Sequence, residues 1–191
     1  MELVIASANA HKIEEISLLL PASISLLSAK EVGITEDIPE TADTLEGNAI
    51  LKAEYIYDRT GKNCFADDTG LEVNALNGAP GVHSARYATD GHDHEANIDL
   101  LLKNLADKTD RTAQFRTVIA LILDGEQHLF EGIVHGEILT ERAGTEGFGY
   151  DAVFKADGKD VSFAQMGLNE KNEISHRGRA TTKLIEFLCR Q

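Results

Sequence analysis

Apolar positions along the chain fall into short unbroken runs that alternate with helix-period segments, as in an α/β protein. Glu2 to Ala6 (ELVIA) reads as a buried strand, and the helical pattern after it places Ile13, Ile16 and Leu20 on one face. A strand near Ser25 to Ser28 leads into a polar loop reaching Asp43, and a helix runs from about Thr44 until Gly61 ends it. Strands are expected near Cys64 and from Leu71 to Ala75. A helix with Ile98, Leu101, Leu102 and Leu105 on one face precedes a long strand, Ala113 to Leu123. Asp124-Gly125 supplies a turn, and His128 to Leu139 returns as the second strand of a hairpin. Ala152 to Lys155 reads as a further strand, and Ile185 and Leu188 mark an amphipathic tail. This order predicts a mixed central sheet with flanking helices in a single domain, residues 1–191.

Composition narrows the partners. With 42% hydrophobic and 26% charged residues the chain reads as an ordinary globular domain with a sizeable core. A formal net charge of −14 argues against a nucleic acid polymer or a membrane surface, because polyanions need a basic footprint. A small anion remains compatible if local Lys, Arg and a divalent cation outweigh the global field. Cys64 and Cys189 lack metal-ligand spacing and read as reduced thiols of a cytoplasmic protein, Cys64 within a strand. No signal peptide, spanning segment, low-complexity run or internal repeat is read in the sequence.

Four clusters carry candidate chemistry. The first runs from Phe65 to Tyr87 and places Asp67, Asp68 and Thr69 beside glycines, just after an apolar strand. In an extended segment adjacent residues point to opposite faces, so one acid can work in a cleft while the other supports it. Asp-Asp-Thr-Gly also suits an ordinary polar turn. The second is the loop Ser7-Ala8-Asn9-Ala10-His11-Lys12 between a strand and a helix start, where free N–H groups and the helix dipole favour a phosphate. A simple helix cap explains the same residues. The third, Gly144 to Asp151, sets Phe148 between Gly147 and Gly149, open to the face of a base, although the glycines also suit a bend. The fourth is Lys171 with Ser175-His176-Arg177-Gly178-Arg179, donors for a carbonyl-bearing ring or a capped, solvated helix. His92-Asp93-His94 reads as solvated polar residues at a loop or helix start rather than a metal site.

Taken together these motifs resemble those of the inosine triphosphatase family, the Ham1-like dITP/XTP pyrophosphatases. The match covers SANAHK, the acidic loop around Pro39-Glu40-Thr41, Glu46-Gly47-Asn48-Ala49 through Lys52-Ala53, and ADDTGLEV. It continues through GAPGVHSARY, GFGYD, Glu170-Lys171 and SHRGRA. Departures from the family pattern are Ser7 for Thr, Thr69 for Ser, Glu146 for Gly and Ala152 for Pro. The first two keep a hydroxyl, and the last two bear on loop stiffness.

The resemblance implies an elongated mixed sheet in two lobes with the site in the cleft between them, and a homodimer. It implies hydrolysis of a non-standard purine nucleoside triphosphate to the monophosphate and pyrophosphate, with Mg²⁺ held by Glu40 and Asp68 and with Asp68 as proton acceptor. Ser7, Ala8, Asn9, Ala10, His11, Lys12, Lys52 and Thr69 would meet the phosphate end. Phe148, Gly149, Tyr150 and Asp151 would form the base platform, and Lys171, Ser175, His176 and Arg177 would address its oxygenated edge. Hypoxanthine and xanthine present a 6-oxo acceptor where adenine presents an amino donor, so fixed donors there would discriminate. Two other readings compete. Asp68-Thr69-Gly70 matches the catalytic turn of aspartic proteases, but these need two such carboxylates and the chain has one copy. A nucleotide-binding regulatory module without turnover is the second.

Overall fold

In a computed structural model, which describes residues 1–190, the expected alternation of strands and helices is present. Strand β1 (Glu2–Ile5) pairs in parallel with β2 (Ser25–Ser28) on one side and with β3 (Cys64–Val73) on the other. Helix α1 (Ala10–Ser17) connects β1 to β2, and α2 (Leu45–Thr60) precedes β3. Both ends of α2 are those expected from sequence. Thr44 Oγ1 accepts from Gly47 N, and Gly61 closes the helix at φ +64°, where a side chain would be strained.

A two-residue strand β4 (Pro80–Gly81) pairs antiparallel with β3, and α3 (His94–Asn104) follows. The hairpin consists of β5 (Thr112–Leu123) and β6 (Glu126–Ile138). Asp124 and Gly125 join them with φ of +51° and +87°, the mirror-image turn that matches strand twist. Strand β7 (Phe154–Ala156) pairs antiparallel with β6, and α4 (Leu168–Ile174) and α5 (His176–Leu188) complete the order. The strand order is β2-β1-β3-β5-β6-β7, with β4 also on β3, a mixed sheet of the α/β class.

Contacts divide the chain into two units. Among the described residues the first comprises 1–68, 117–132 and 177–190, and its core gathers Leu3, Ile5, Ile16, Phe65, Leu121 and Leu184. The second comprises residues 69–116 and 133–176, with Leu71, Ile98, Phe115, Tyr150, Phe154 and Phe163 at its centre. Among the described residues no helix is long and apolar enough to cross a membrane.

Two expectations need correction. Separate strands near Cys64 and from Leu71 to Ala75 are instead one ten-residue strand, β3, ending at Val73, so Asp67 and Asp68 lie in an extended segment, one of the two readings, and not in a polar turn, the other. The turn preference of Asp-Asp-Thr-Gly loses because both carboxylates find cations inside the protein and need no exposure to water. The strand expected at Ala152 to Lys155 begins only at Phe154, because Val153 N and Phe154 N both donate to Tyr150 O in a turn.

Candidate active site

The sharpest constellation lies in the first unit, around the ammonium of Lys52. Asn48 and Lys52 stand four residues apart on the buried face of α2 and therefore reach the same side. Lys52 Nζ donates to Glu40 Oε1 at 2.7 Å, to Asp68 Oδ1 at 2.8 Å and to the carbonyl of Asp67 at 2.8 Å. Asn48 spans the same acid, its Nδ2 lying 3.4 Å from Asp68 Oδ2 while its Oδ1 accepts from Ala42 N. Alternation along β3 sends Asp67 elsewhere, to Lys12 Nζ at 3.0 Å and Arg177 Nε at 3.2 Å, and Arg177 Nη1 in turn contacts Glu15.

These surroundings push the two adjacent acids apart. Burial raises the Asp68 carboxyl above its usual range, and Lys52 and Lys12 do not cancel that effect. Burial acts the same way on Asp67, but Lys12, Arg177 and Lys52 together outweigh it and hold Asp67 well below the carboxylate range. Burial opposes charge on Lys52 as well, yet Asp68, Glu40 and Asp67 keep it firmly protonated. Lys12 is lowered, first by burial, and Lys52 and Arg177 repel it against the attraction of Asp67. Asp68 and Lys52 thus shift in the same direction although they form one ion pair. The acid answers to its burial, the lysine to several oxygens at once.

The loop before α1 is built as a helix cap. Asn9 Oδ1 accepts from the amides of His11 and Lys12, and Ser7 Oγ accepts from Asn9 N. Ala8, Ala10 and His11 are exposed, while Lys12 turns inward to Asp67. Two of the amides expected to face an anion are therefore engaged by the cap.

The second unit holds the aromatic cluster. Phe148 is half-buried, and its N–H donates to Asp151 Oδ2 at 2.9 Å, the oxygen that also takes Lys171 Nζ at 2.6 Å. Lys171 Nζ stands 5.1 Å from the Phe148 ring centre. Gly147, at φ +75°, leaves the space Asp151 occupies, since a Cβ there would collide with its carboxylate. Gly149 also has positive φ, and Tyr150 is buried with its hydroxyl donating to Ser84 O. Ser175 is fully enclosed at the end of α4, and the His176 ring lies flat on Phe115 at 4.5 Å. Thr69 is half-buried in β3.

One expected residue sits differently from its sequence reading. Arg177, assigned to the base edge, is 2% exposed in the first unit and commits Nε and Nη1 to Asp67 and Glu15. Its side chain is a clamp on acids, because a buried guanidinium seeks carboxylates in preference to a neutral ring. Asp93 caps α3 through Ala96 N, and His92, Asp93 and His94 are exposed, in keeping with solvated residues at a helix start. Glu15 is not marked by any sequence motif, and Asn48 lies within the matched Glu46-Gly47-Asn48-Ala49 without a role of its own. Their signal was spacing: Glu15 lies three residues after Lys12 and Asn48 four before Lys52, each able to share a helix face with a candidate lysine. Glu146 is absent from the positive-φ positions of the described residues, so the glycine usual there in the family is not required by the backbone.

The chain is similar to known proteins along nearly its whole length. The Ham1 family matches residues 3–187. The dITP/XTP pyrophosphatase of Flavobacterium psychrophilum is 56% identical over 187 residues, covering 98% of each chain. That of Bacillus subtilis is 43% identical, covering 98% of this chain and 96% of the relative. Among solved structures, the Ham1 protein of Staphylococcus aureus superposes with a TM-score of 0.89 at 43% identity over 98% of both chains. A HAM1 protein from Coxiella burnetii gives 0.92 at 39% identity over the whole of both chains. A family match spanning nearly every element, with the same fold at high identity, means that the chain belongs to the Ham1 family.

Proposed function

We propose that this chain hydrolyses non-standard purine nucleoside triphosphates, ITP, dITP and XTP, to the monophosphate and pyrophosphate, and so clears them from the nucleotide pool. The names of its curated relatives support the reading, and one observation carries it: Glu40, Asp68 and the Asp67 carbonyl converge on a single cation beside Lys12. The donor set fits Mg²⁺, which favours hard oxygens and needs few protein carboxylates when phosphates and waters complete its shell. Glu40 and Asp68 would hold Mg²⁺, which when bound supplies neutralisation of the charge on the triphosphate.

The remaining work falls to the chain's own groups. Asp68 accepts the proton of the attacking water, a task suited to a carboxyl raised above its usual range. Asn48 Nδ2, near the other oxygen, restrains the rotation of that carboxylate. Asp67, held ionised, fixes the Lys12 ammonium. Lys12 and Lys52, with Ser7, Asn9 and Thr69, take the phosphate end. Phe148 stacks on the base, on a loop tied down by Asp151 and Lys171, and Lys171, Ser175 and His176 meet its oxygenated edge. Arg177 stays in the substrate set through its place after His176, while its side chain acts on Asp67. Service of both ends of one nucleotide, by a cytoplasmic homodimer, belongs to the same proposal.

The test is direct. Purified protein with Mg²⁺ should release pyrophosphate, not orthophosphate, from ITP, dITP and XTP, with ATP and GTP poor substrates. Saturable ITP binding without product would instead identify a nucleotide-binding module. Orthophosphate release would identify a different hydrolase.

A further inference from the structure

Lysine carries three N–H donors, and Lys52 spends all of them on oxygens 2.7 to 2.8 Å away, on Glu40, Asp67 and Asp68. Its side chain is 7% exposed, and its stem rises from a sixteen-residue helix fixed at both ends by Thr44 and Gly61. Two carboxylates turned to one point would repel each other, and at that point sits an ammonium. We infer that Lys52 is a built-in counter-cation: without nucleotide it fills the position between Glu40 and Asp68, so a free divalent ion binds weakly until a triphosphate draws the ammonium onto its own oxygens.

The inference rests on Glu40 and Asp68 as the metal-holding pair. The physical argument is competition. An ion arriving alone must displace a tethered charge that already satisfies the same oxygens, and the displaced ammonium would then need another acceptor. A triphosphate supplies that acceptor, so the metal enters with its nucleotide and the idle protein keeps its acids neutralised without it. An ion pair of purely structural importance would predict no gain in metal binding when the lysine is removed.

Mn²⁺, whose free and bound forms are distinguished by electron paramagnetic resonance, is the probe. The full-length nucleotide-free protein should bind Mn²⁺ weakly, and Lys52→Met and Lys52→Gln should each bind about 10-fold more tightly or better. Lys52→Arg, which keeps the charge, should stay weak. Circular dichroism establishes that each variant is folded. In unmutated protein the Lys52 ammonium resonance should ignore Mg²⁺ alone and shift when the imido analogue of ITP is added with it, a measurement needing no substitution. Folded charge-removing variants that bind Mn²⁺ no more tightly, or a resonance that moves with Mg²⁺ alone, would overturn the inference. Glu40→Gln separates the two levels. Loss of Mn²⁺ from the ternary complex with the imido analogue upholds the metal-holding pair even if Lys52 is no competitor, and an unchanged ternary complex removes the pair itself.

Discussion

Arg177 Nε reaches Asp67 Oδ2 at 3.2 Å across 110 positions of sequence, so the last helix clamps the acid that in turn holds Lys12. Glu15, on the same helix as Lys12, occupies the other arm of the guanidinium. Asp67, Arg177 and Glu15 are enclosed in the first unit and Lys12 is half-buried beside them, so an unpaired charge there would be costly.

Arg177→Ala should accordingly weaken ITP and ATP use alike, leaving their ratio nearly constant, because it loosens a lysine that meets groups common to every nucleoside triphosphate. It should also destabilise the fold by about 3–5 kcal/mol, the cost of stranding buried carboxylates. Parallel kcat/KM measurements for both nucleotides, with a thermal melt, check this. A selective loss of ITP use would return Arg177 to the base edge.

Asp68→Asn should cut kcat by about 10²- to 10⁴-fold through loss of the proton acceptor alone. Nucleotide binding should survive better than turnover. Asp67→Asn should act mainly on KM and stability, since it frees Lys12 and leaves the Glu40 and Asp68 side chains on Lys52. Steady-state kinetics on both variants distinguish the roles. Equal kcat losses would mean that the opposite-face argument does not separate them.

How much of this was legible depends on range. The strand at Ser25–Ser28, the helix from Thr44 to Gly61 and the hairpin turn at Asp124-Gly125 are written locally, in periodicity, caps and turn residues. Helix α4 was not foreseen because its sequence, LNEKNEI, buries Lys171 and Asn172 rather than an apolar stripe. The continuity of β3 through Asp67 and Asp68 was hidden for the same reason: acids read as surface until their cations are known. Those cations come from Lys12, Lys52 and Arg177, and no local pattern records which pairs with which. The sequence held the cast of the candidate site, and tertiary placement assigned the partnerships.

Gly147→Ala tests the aromatic loop. The residue would sit at positive φ, costing about 1–2 kcal/mol, and its methyl would press on the Asp151 carboxylate that holds Lys171 and Phe148 N. The melting temperature should fall by about 2–8 °C. KM for ITP should rise with kcat affected less, because the loop positions the base and not the reacting phosphorus. An unchanged KM in the folded variant would detach this loop from base binding.

The buried thiol gives the chain a signature at alkaline pH. Cys64 is enclosed in β3, its Sγ donates to Ala53 O at 3.2 Å, and burial pushes its pKa up to about 12. Well below the ordinary thiol value of about 8.5 both folded and unfolded chains keep this proton, and the thiol adds no pH dependence. Between about pH 9 and about pH 12 the unfolded chain loses the proton while the folded one retains it, so stability falls as pH rises through that window. Denaturant melts across that range should show a steeper alkaline decline for wild type than for Cys64→Ala, by up to about one proton per chain. Tyr150, raised by burial, contributes to both proteins alike and cancels in the comparison. Native protein at pH 8 should alkylate at exposed Cys189 alone, and at both thiols once unfolded. Rapid modification of Cys64 in the native chain, or identical alkaline slopes for the two proteins, would mean that β3 opens to solvent far more readily than its burial indicates.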